Sequence, residues 1–299
     1  MENLPTDFFV TSSAYTPTVY RDQYPSIDPT SAALSQAGKV VIISGASDGI
    51  GARGFAPAFA KAKPKAIVLV GRSATKLAAV EDNLRKISND IEYLSVPTDI
   101  SDQGSVDALY RIVKAKYGHA DVLINNAGVM SAQAPLAETD VKAWWTEFEV
   151  NVKGTFLVTR SFLSLLGNEK QGTIVNLSTG IATAIFPTMS AYSITKLAAL
   201  RLAEYVSAEY PNVNAVSLQP GVVDTDMVVD SFKRFALDTP DLVGGTGVWL
   251  ATDAARFLTG RFISANWSVD DLVKRKDEIV AGNDLKVVYQ GTFGLDQFK

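Results

Sequence analysis

A tyrosine and a lysine that could share a proton-transfer reaction stand one helical turn apart in residues 191–200, AYSITKLAAL. Tyr192 carries a phenol whose ordinary pKa near 10 is too high for an efficient base at neutral pH. Lys196 lies about 6 Å away by helical rise, so its ammonium group would favour the phenolate electrostatically. Such a pair also arises by chance, so its interpretation depends on the other motifs of the chain.

A glycine-rich stretch, SGASDGIGARG, follows the first predicted strand and provides the first of these motifs. Gly45, Gly49 and Gly51 would allow a sharp turn and a close approach of the backbone to a pyrophosphate at a helix N-terminus. Asp48 and Ile50 lie in the same loop. A tight turn without a ligand is the alternative, but the position between a first strand and a first helix favours dinucleotide binding.

The end of the second predicted strand bears on which dinucleotide is bound. An acidic residue there would bind the ribose hydroxyls of NAD, whereas an arginine favours the 2′-phosphate of NADP. Gly71 replaces the acid here and Arg72 follows it, which indicates NADP(H) rather than NAD(H). Two alternatives oppose this interpretation: Arg72 could be a plain surface charge, and the carboxylate of Asp48 could lie near the same phosphate.

Small and polar residues also follow the third and fourth predicted strands. Asp99 and Ile100 in PTDIS are placed to meet the adenine ring, although Asp99 could equally be the N-cap or a first-turn acid of the next helix. The fourth strand ends in NNAG, where Asn126, Ala127 and Gly128 suit a tight backbone passage beside a ligand.

These motifs need a scaffold that brings strand ends together, and the chain alternates accordingly. Apolar runs rich in β-branched residues predict buried strands at 39–44, 66–70, 91–96, 121–125, 173–178 and 213–218. Amphipathic stretches such as 75–87 and 105–117 predict helices between them. This alternation is typical of an α/β fold, a Rossmann-like doubly wound parallel sheet whose ligands bind at the carboxyl ends of the strands.

The chain divides into three predicted parts. Residues 1–37, rich in Pro, Ser, Thr and Tyr, form an N-terminal extension, 38–268 a single Rossmann-fold domain, and 269–299 a C-terminal helical tail that begins with a charged helix, VDDLVKRKDEI. Residues 220–247 break the strand–helix rhythm and are predicted to be loop-like. The segment RFISANW, at 261–267, is a last apolar piece.

The composition argues against several classes of function. A net charge of −4 does not suit a nucleic-acid or anionic-membrane surface. The chain has no Cys and a single His, His119, in a turn-like segment, which argues against a cysteine nucleophile, a Ser-His-Asp triad and a metal site. We see neither a secretory signal nor an apolar run of about 20 residues, so we expect a cytoplasmic protein that is not embedded in a membrane.

Six motifs in the same order resemble those of the classical short-chain dehydrogenase/reductase family. They extend over about residues 38–266 and are SGASDGIG, NNAG, VNVKG, NLST, YSITK and PGVVDT. The sequences around the first motif and at GRFISANWSVDDL look most like NADP-dependent family members from filamentous fungi.

The resemblance implies a catalytic set in which Asn151 joins Tyr192, Lys196 and the hydroxyl of Ser178 or Thr179. Tyr192 would exchange a proton with the substrate oxygen while hydride moves to or from the nicotinamide. The hydroxyl group would bind the developing alkoxide. Lys196 would also hold the nicotinamide ribose, and Asn151 would position a water.

Further along, Val223 and Thr225 of PGVVDT would contact the nicotinamide carboxamide in this resemblance. The choice between the two hydroxyls stays open, because neighbouring strand residues point to opposite faces and only one is expected to reach the substrate. The family's spacing of 13 positions before the tyrosine favours Thr179, whereas a bulge at the strand end could turn Ser178 inward.

The sequence therefore predicts an NADP(H)-dependent oxidoreductase for a carbonyl or secondary alcohol, assembled as a homodimer or homotetramer like its family. Apolar residues after the last motif suit an apolar or aromatic substrate, although core packing would explain them equally: Met227, Phe232, Phe235 and Leu237. A redox-silent NADP-binding sensor or scaffold on the same fold is the main alternative. An epimerase or dehydratase of the family's extended branch would need the spacing G-x-x-G-x-x-G, which this chain lacks.

Overall fold

The computed structural model describes residues 4–298, which form a parallel sheet with helices on both faces. The strands are Val40–Ser44 (β1), Ala66–Gly71 (β2), Glu92–Pro97 (β3), Val122–Asn125 (β4), Gly172–Leu177 (β5), Val213–Gln219 (β6) and Arg261–Ser264 (β7). Their order is β3-β2-β1-β4-β5-β6-β7. The order reverses between β1 and β4, which confirms the predicted doubly wound, Rossmann-like fold and places the ligand crevice at the carboxyl ends of these strands.

Consecutive apolar residues form the central strands because both faces of the sheet are covered. In β1, Val41 and Ile43 pack into one core layer, while Val40 and Ile42 pack into the layer on the opposite face. Side chains alternate between faces along a strand, so a strand buried on both sides reads as an unbroken apolar run. The edge strand β3 is instead half exposed and more polar.

The helices lie on the two faces and at the ends of the sheet. The α-helices are Phe8–Thr11 (α1), Ala56–Lys61 (α2), Ala74–Ile87 (α3), Gln103–Tyr117 (α4), Val141–Glu147 (α5), Thr155–Leu166 (α6), Ser190–Glu209 (α7), Pro240–Leu250 (α8), Val269–Lys274 (α9) and Lys276–Ala281 (α10). Gly51–Phe55 and Phe148–Gly154 are π-helical and lead into α2 and α6. None of the helices within residues 4–298 combines the length and the apolar character needed to cross a membrane.

Short 3-10 helices complete the described chain: Pro25–Ile27, Ala32–Leu34, Leu136–Glu138, Gly180–Ala182, Asp230–Phe235, Asp253–Leu258 and Leu295–Phe298. Side-chain caps fix where the longer helices begin. Ser73 accepts a hydrogen bond from a backbone N–H at the start of α3, and Asp102 does the same at the start of α4.

The prediction that residues 220–247 are loop-like is wrong at its C-terminal end, where α8 begins at Pro240. Thr239 caps this helix, and proline suits its first position. The sequence pattern did not predict this helix because it contains glycines, which are poor helix formers. They are present because the helix packs closely: a Cβ on Gly244 would lie 2.3 Å from the carbonyl oxygen of Gly54.

The C-terminal part is also less helical than predicted. The charged helix expected from VDDLVKRKDEI is two short helices, α9 and α10, separated at Arg275, which leaves helical geometry with φ −93° and ψ 10°. Its guanidinium donates a hydrogen bond of 2.6 Å to the carbonyl of Tyr15 instead of lying free at the surface. Residues 282–294 contain no helix, and the predicted helical tail therefore ends at Ala281 apart from the last short turn.

The N-terminal extension packs along the core and then reaches the ligand crevice. Tyr24, Ile27 and Leu34 are buried within the core layer that also contains α8. The contact is close, since a Cβ on Gly245 would lie 2.4 Å from the carbonyl oxygen of Ile27. This packing fixes the course of the extension, and its first helix, α1, lies at the crevice.

Candidate active site

A cleft of about 1180 Å³ opens along the carboxyl ends of the strands. The predicted site residues that line it are Gly45, Asp48, Gly49, Ile50, Arg72, Asp99, Ile100, Asn126, Ala127, Gly128, Ser178, Thr179, Tyr192, Lys196, Val223 and Thr225. Gly51 and Asn151 lie behind this wall and are buried. Its lining includes residues of the glycine loop after β1 and residues of the segment after β6.

The glycine loop adopts a backbone that requires glycine. Gly45 and Gly49 have φ values of +66° and +55°, in the left-handed region. A Cβ on Gly51 would lie 2.2 Å from the carbonyl oxygen of Gly45, so this glycine serves the packing of the loop rather than the cleft wall. At Gly49 a Cβ would make only an ordinary van der Waals contact, at 3.8 Å, with the methyl group of Thr225. The loop therefore leaves room for a ligand against its backbone.

Asn126 fastens this loop to the end of β4. Its amide nitrogen donates hydrogen bonds of 3.0 Å to the carbonyl oxygens of both Ser44 and Gly45. The hydroxyl of Ser44 accepts from the backbone N–H groups of Asn126 and Ala127 at 3.1 and 3.2 Å. The NNAG motif thus holds the glycine loop in shape.

Basic side chains gather at the outer end of the cleft. Arg72 is exposed there, and the sequence interpretation missed two neighbours, Arg53 and Lys76, which also line this end. Lys76 forms a 2.7 Å ion pair with Asp48, and its hydrogen bond lowers the pKa of that carboxyl. The carboxylate that seemed to oppose NADP binding is therefore neutralised by a neighbour. The guanidinium of Arg53 donates to the carbonyl of Asp224.

Asp99 is not a helix cap, because Asp102 is the N-cap of α4. The carboxylate of Asp99 instead accepts hydrogen bonds from the backbone and the hydroxyl of Ser101 at 2.9 and 2.7 Å, which lower its pKa. The charge of Arg72 lowers the pKa further. Ile100 packs against Gly154, where a Cβ would lie 2.8 Å from its side chain, so it braces the wall from below.

Lys196 lies at the middle of the cleft with little exposure. Its ammonium group donates a 2.8 Å hydrogen bond to the carbonyl of Leu177 and lies 5.6 Å from the centre of the Tyr192 ring. Burial lowers the pKa of Lys196 to about 8. A Cβ on Gly128 would lie 3.3 Å from this ammonium group and 3.2 Å from the amide oxygen of Asn151, so a larger residue there would crowd both groups.

Tyr192 projects into the same part of the cleft, and its hydroxyl contacts the sulfur of Met227 at 3.8 Å. Burial raises the pKa of the phenol, and the charge of Glu147 raises it further. The predicted lowering of this pKa by Lys196 is not found, because desolvation of the phenol outweighs a cation that is directed at the carbonyl of Leu177. The arrangement favours the protonated phenol.

The two candidate hydroxyls have different surroundings. Ser178 is only 2% exposed, and its hydroxyl faces the backbone carbonyl of Lys196 at 3.4 Å. Thr179 is half-buried on the cleft wall, and its oxygen accepts a long 3.4 Å bond from the N–H of Ile181. Both residues line the cleft, and Thr179 is the more exposed of the two.

Asn151 lies in the π-helical turn Phe148–Gly154, a distortion that is frequent at functional sites. Its amide exchanges two 2.8 Å hydrogen bonds with the backbone of Val129 and donates a third, of 3.1 Å, to the hydroxyl of Thr195. Asn151 thus joins the loop after β4 to α7, the helix that carries the tyrosine and the lysine.

One turn before Asn151, Glu147 is a buried carboxylate that the sequence interpretation missed. One of its oxygens accepts hydrogen bonds from the N–H groups of Ser131 and Ala132 at 2.6 and 2.7 Å. The other has no hydrogen-bond partner among the described residues. In the sequence, only the position of Glu147 one helical turn before Asn151 pointed to a place near the site. The local pattern did not indicate that Glu147 would be buried near Tyr192.

Comparison with known proteins agrees with this geometry. A profile described as short chain dehydrogenase matches residues 39–235, which contain every predicted site residue. The chain belongs to the short-chain dehydrogenase family. The enzyme is an NAD(P)-dependent oxidoreductase, as the family's shared fold and motifs require.

Two fungal relatives are similar over nearly their whole length. The chain is 41% identical to the short chain dehydrogenase mpl6 of Monascus purpureus over 277 residues, which cover 90% of this chain and 94% of the relative. It is 34% identical to the short chain dehydrogenase pigC of Monascus ruber, with 95% of each chain covered. The predicted likeness to fungal members is confirmed.

Among solved structures, a short chain dehydrogenase of Salmonella enterica has a TM-score of 0.71 at 25% identity, with 81% of this chain and 99% of that one covered. A short chain dehydrogenase of Escherichia coli, solved in complex with NADPH, has a TM-score of 0.70 at 25% identity, covering 78% and 98%. In the present structure the glycine loop, with Gly45 and Gly49 in the left-handed region, fits a nicotinamide dinucleotide.

Proposed function

We propose that this enzyme is an NADP(H)-dependent oxidoreductase that interconverts a carbonyl and a secondary alcohol on an apolar or aromatic substrate, with Tyr192 as the acid or base. The observation that carries the proposal is that Tyr192, Lys196 and Thr179 line one cleft, with the Lys196 ammonium group 5.6 Å from the centre of the Tyr192 ring. A redox-silent sensor or scaffold would need the cleft, but it would not need this set of proton-transfer groups.

The proposed preference for NADP(H) rests on charge at the outer end of the cleft. Arg72, Arg53 and Lys76 line it. Among the carboxylates that also line the cleft, Asp48 is paired with Lys76, and Asp99 lies close enough to Arg72 for that charge to lower its pKa. A 2′-phosphate there would bind the guanidinium of Arg72, because arginine binds phosphate through a planar fork of donors. The relative solved with NADPH supports the same choice.

In the proposed mechanism a bound nicotinamide supplies or accepts the hydride, and the protein handles the proton. Tyr192 donates its phenolic proton to the carbonyl oxygen during reduction, and its raised pKa keeps it protonated for that step. The hydroxyl of Thr179 donates a hydrogen bond to the same oxygen and stabilises its developing charge. Asn151 holds the backbone after β4 and α7 in register, so that Tyr192 and Lys196 keep their positions.

Lys196 has two proposed tasks in this arrangement. Its ammonium group lies between the carbonyl of Leu177 and Gly128, where it can hold the ribose next to the nicotinamide. It also opposes the negative charge that would remain on Tyr192 after proton transfer, at a distance of 5.6 Å from the ring.

The experiment is a turnover assay that follows the absorbance of reduced nicotinamide with a panel of ketones, aldehydes and secondary alcohols. We expect NADPH-dependent reduction of aromatic ketones and faster turnover with NADPH than with NADH. Tight NADPH binding without turnover of any panel member would favour the sensor or scaffold instead.

We also propose that the protein forms a homodimer or homotetramer, because α5, α6 and α7 resemble the helices through which the family pairs its subunits. We propose the cytoplasm as its location. Light scattering at micromolar concentration should show a species of two or four chains. A stable monomer under those conditions would contradict the assembly.

A further inference from the structure

The N-terminal extension reaches the substrate end of the cleft. Phe8, Phe9, Ser12 and Ser13, from α1 and the residues after it, line the cleft together with Tyr192. Most of the cleft wall belongs to the Rossmann domain, from which these residues are separated by about 30 positions in sequence. The extension is therefore part of the wall and does more than cover the core.

Phe9 completes an aromatic cluster whose members come from three distant segments. Its ring stacks on Phe232 at 5.2 Å and meets Phe235 edge-on at 4.8 Å. Phe186, from the segment after β5, lies 6.5 Å from Phe9 and 5.8 Å from Phe232. Phe235 is fully buried and anchors the cluster, whereas the other three rings are only half-buried. All three line the cleft, so aromatic surface stays available to a ligand.

Arg21 joins the extension to the segment after β6. Its guanidinium forms a 2.7 Å ion pair with Asp238 and donates to the carbonyl oxygens of Phe235 and Thr6 at 2.8 and 3.2 Å. The carboxylate of Asp238 is fully buried and also accepts a 2.6 Å hydrogen bond from the N–H of Val222. One arginine thus fixes the position of α1 relative to the aromatic segment.

We propose that the N-terminal extension is a substrate-recognition element, in which Phe9 contacts an aromatic or extended apolar group of the substrate and Arg21 is a positioning residue. This inference rests on the proposed function, because it places that group on the far side of the cleft from the basic cofactor end. The hydroxyls of Ser12 and Ser13 donate to the backbone of α1, so the face that the extension presents beside Phe9 is mainly apolar.

The test compares naphthyl methyl ketone with acetone in the full-length enzyme and in Phe9→Ala. We expect kcat/KM for naphthyl methyl ketone to fall by about tenfold or more and kcat/KM for acetone to change by less than about threefold, because a hydrophobic wall discriminates by size at this level. The affinity for NADPH should stay within about twofold. Phe293→Ala, which removes an equally large ring that is 73% exposed on the C-terminal tail, is the matched control and should behave like the wild type.

Arg21→Gln should reduce the preference for naphthyl methyl ketone in the same direction, since Phe9 would lose its fixed position while its ring remains. An equal loss for both ketones in Phe9→Ala would overturn the proposal and assign the extension a structural role only. No change for either ketone would overturn it as well.

A binding titration separates this proposal from the proposed function. Naphthyl fluorescence can report binding of naphthyl methyl ketone in the presence of NADPH even when no turnover occurs. Weaker binding by Phe9→Ala without any turnover in the wild type would support the recognition role and reject the oxidoreductase activity on ketones. Equal binding by both proteins would reject the recognition role whatever the turnover.

Discussion

At the cofactor end of the cleft, neighbouring residues of a few short motifs make the wall, whereas at the substrate end the wall is assembled from segments that are far apart. The glycine loop after β1 is fastened by NNAG after β4 through hydrogen bonds of about 3 Å. The aromatic cluster instead combines Phe9, Phe186 and Phe232, with an arginine of the extension as the joint. Hydrogen bonds to the backbone therefore fix the cofactor end, whereas ring contacts and an ion pair fix the substrate end.

The difference has a physical cause. A dinucleotide presents the same pyrophosphate whatever the substrate, so backbone N–H groups and glycines at strand ends suffice to bind it. A substrate is recognised through side chains whose surface must match it, and loops outside the sheet can change without disturbing the core. The substrate end therefore depends on tertiary contacts, and Tyr192 stands where the two ends meet.

The largest effect should come from that junction. Tyr192→Phe keeps the ring but removes the transferable proton, and we expect kcat to fall at least about a hundredfold. The affinity for NADPH should be nearly unchanged, because the phenol lies beyond the glycine loop. Steady-state kinetics and a fluorescence titration of NADPH check both statements. Turnover close to normal in this variant would remove Tyr192 from the mechanism.

The next effect separates the two hydroxyls at the end of β5. Thr179→Ala should cost about 2 to 4 kcal/mol in transition-state stabilisation, because its hydroxyl faces the cleft. Ser178→Ala should cost much less, since Ser178 is buried against the carbonyl of Lys196. The measurement is kcat/KM for both variants with one ketone. A larger loss in the serine variant would reverse the assignment.

A pH titration of stability tests the buried lysine. The pKa of Lys196 is lowered from 10.5 to about 8, so between these pH values the unfolded state binds more protons than the folded state. Unfolding free energy should therefore rise with pH in this interval, by up to about 3 kcal/mol, and the rise should be absent in Lys196→Met. Urea unfolding near neutral pH and at about pH 10 measures it.

Activity should respond in the opposite direction to stability. As Lys196 loses its proton above about pH 8, the cation near Tyr192 disappears and turnover should decline.

A wild-type unfolding free energy that is flat between pH 8 and 10.5 would contradict the burial of this charge. Methionine is the matched replacement because it keeps an apolar stem of similar length.

Sequence reasoning was accurate where chemistry is local. The strand positions follow from apolar runs, and most of the predicted site residues stand close after those runs and line the cleft, since parallel strands all deliver their carboxyl ends to one edge. Both candidate hydroxyls line the cleft, and Thr179, which the spacing favours, is the more exposed of the two.

It was inaccurate where burial or distant contacts decide. The spacing of Tyr192 and Lys196 predicts that they are neighbours on a helix, but it does not predict that desolvation raises the pKa of the phenol. Helix α8 was not predicted because glycine has a low helix propensity. Its glycines are required by the close packing of the helix, which the local sequence does not show. Glu147 and Phe9 reach the site only through tertiary contacts, which no local pattern encodes.

The smallest effect tests the outer cofactor end alone. Wild-type enzyme should bind NADPH at least tenfold more tightly than NADH, about 1.4 kcal/mol. Arg72→Ala should reduce that ratio to about threefold or less by weakening NADPH binding, while NADH binding is unchanged because NADH has no 2′-phosphate. Fluorescence titration of both cofactors gives the ratio. Arg111→Ala, an exposed arginine on α4 that does not line the cleft, is the matched control.

Lys76→Ala makes this last comparison sharper. It removes one cation and also frees the carboxylate of Asp48, whose ion pair with Lys76 is 60% exposed on both sides. NADPH binding should weaken in this variant even though Arg72 is intact, because a phosphate would then face an unpaired carboxylate. Phe9→Ala should leave the ratio of the two affinities unchanged. Equal affinities of the wild type for both cofactors would contradict the assigned preference, and a changed ratio in Phe9→Ala would show that the two ends of the cleft are coupled.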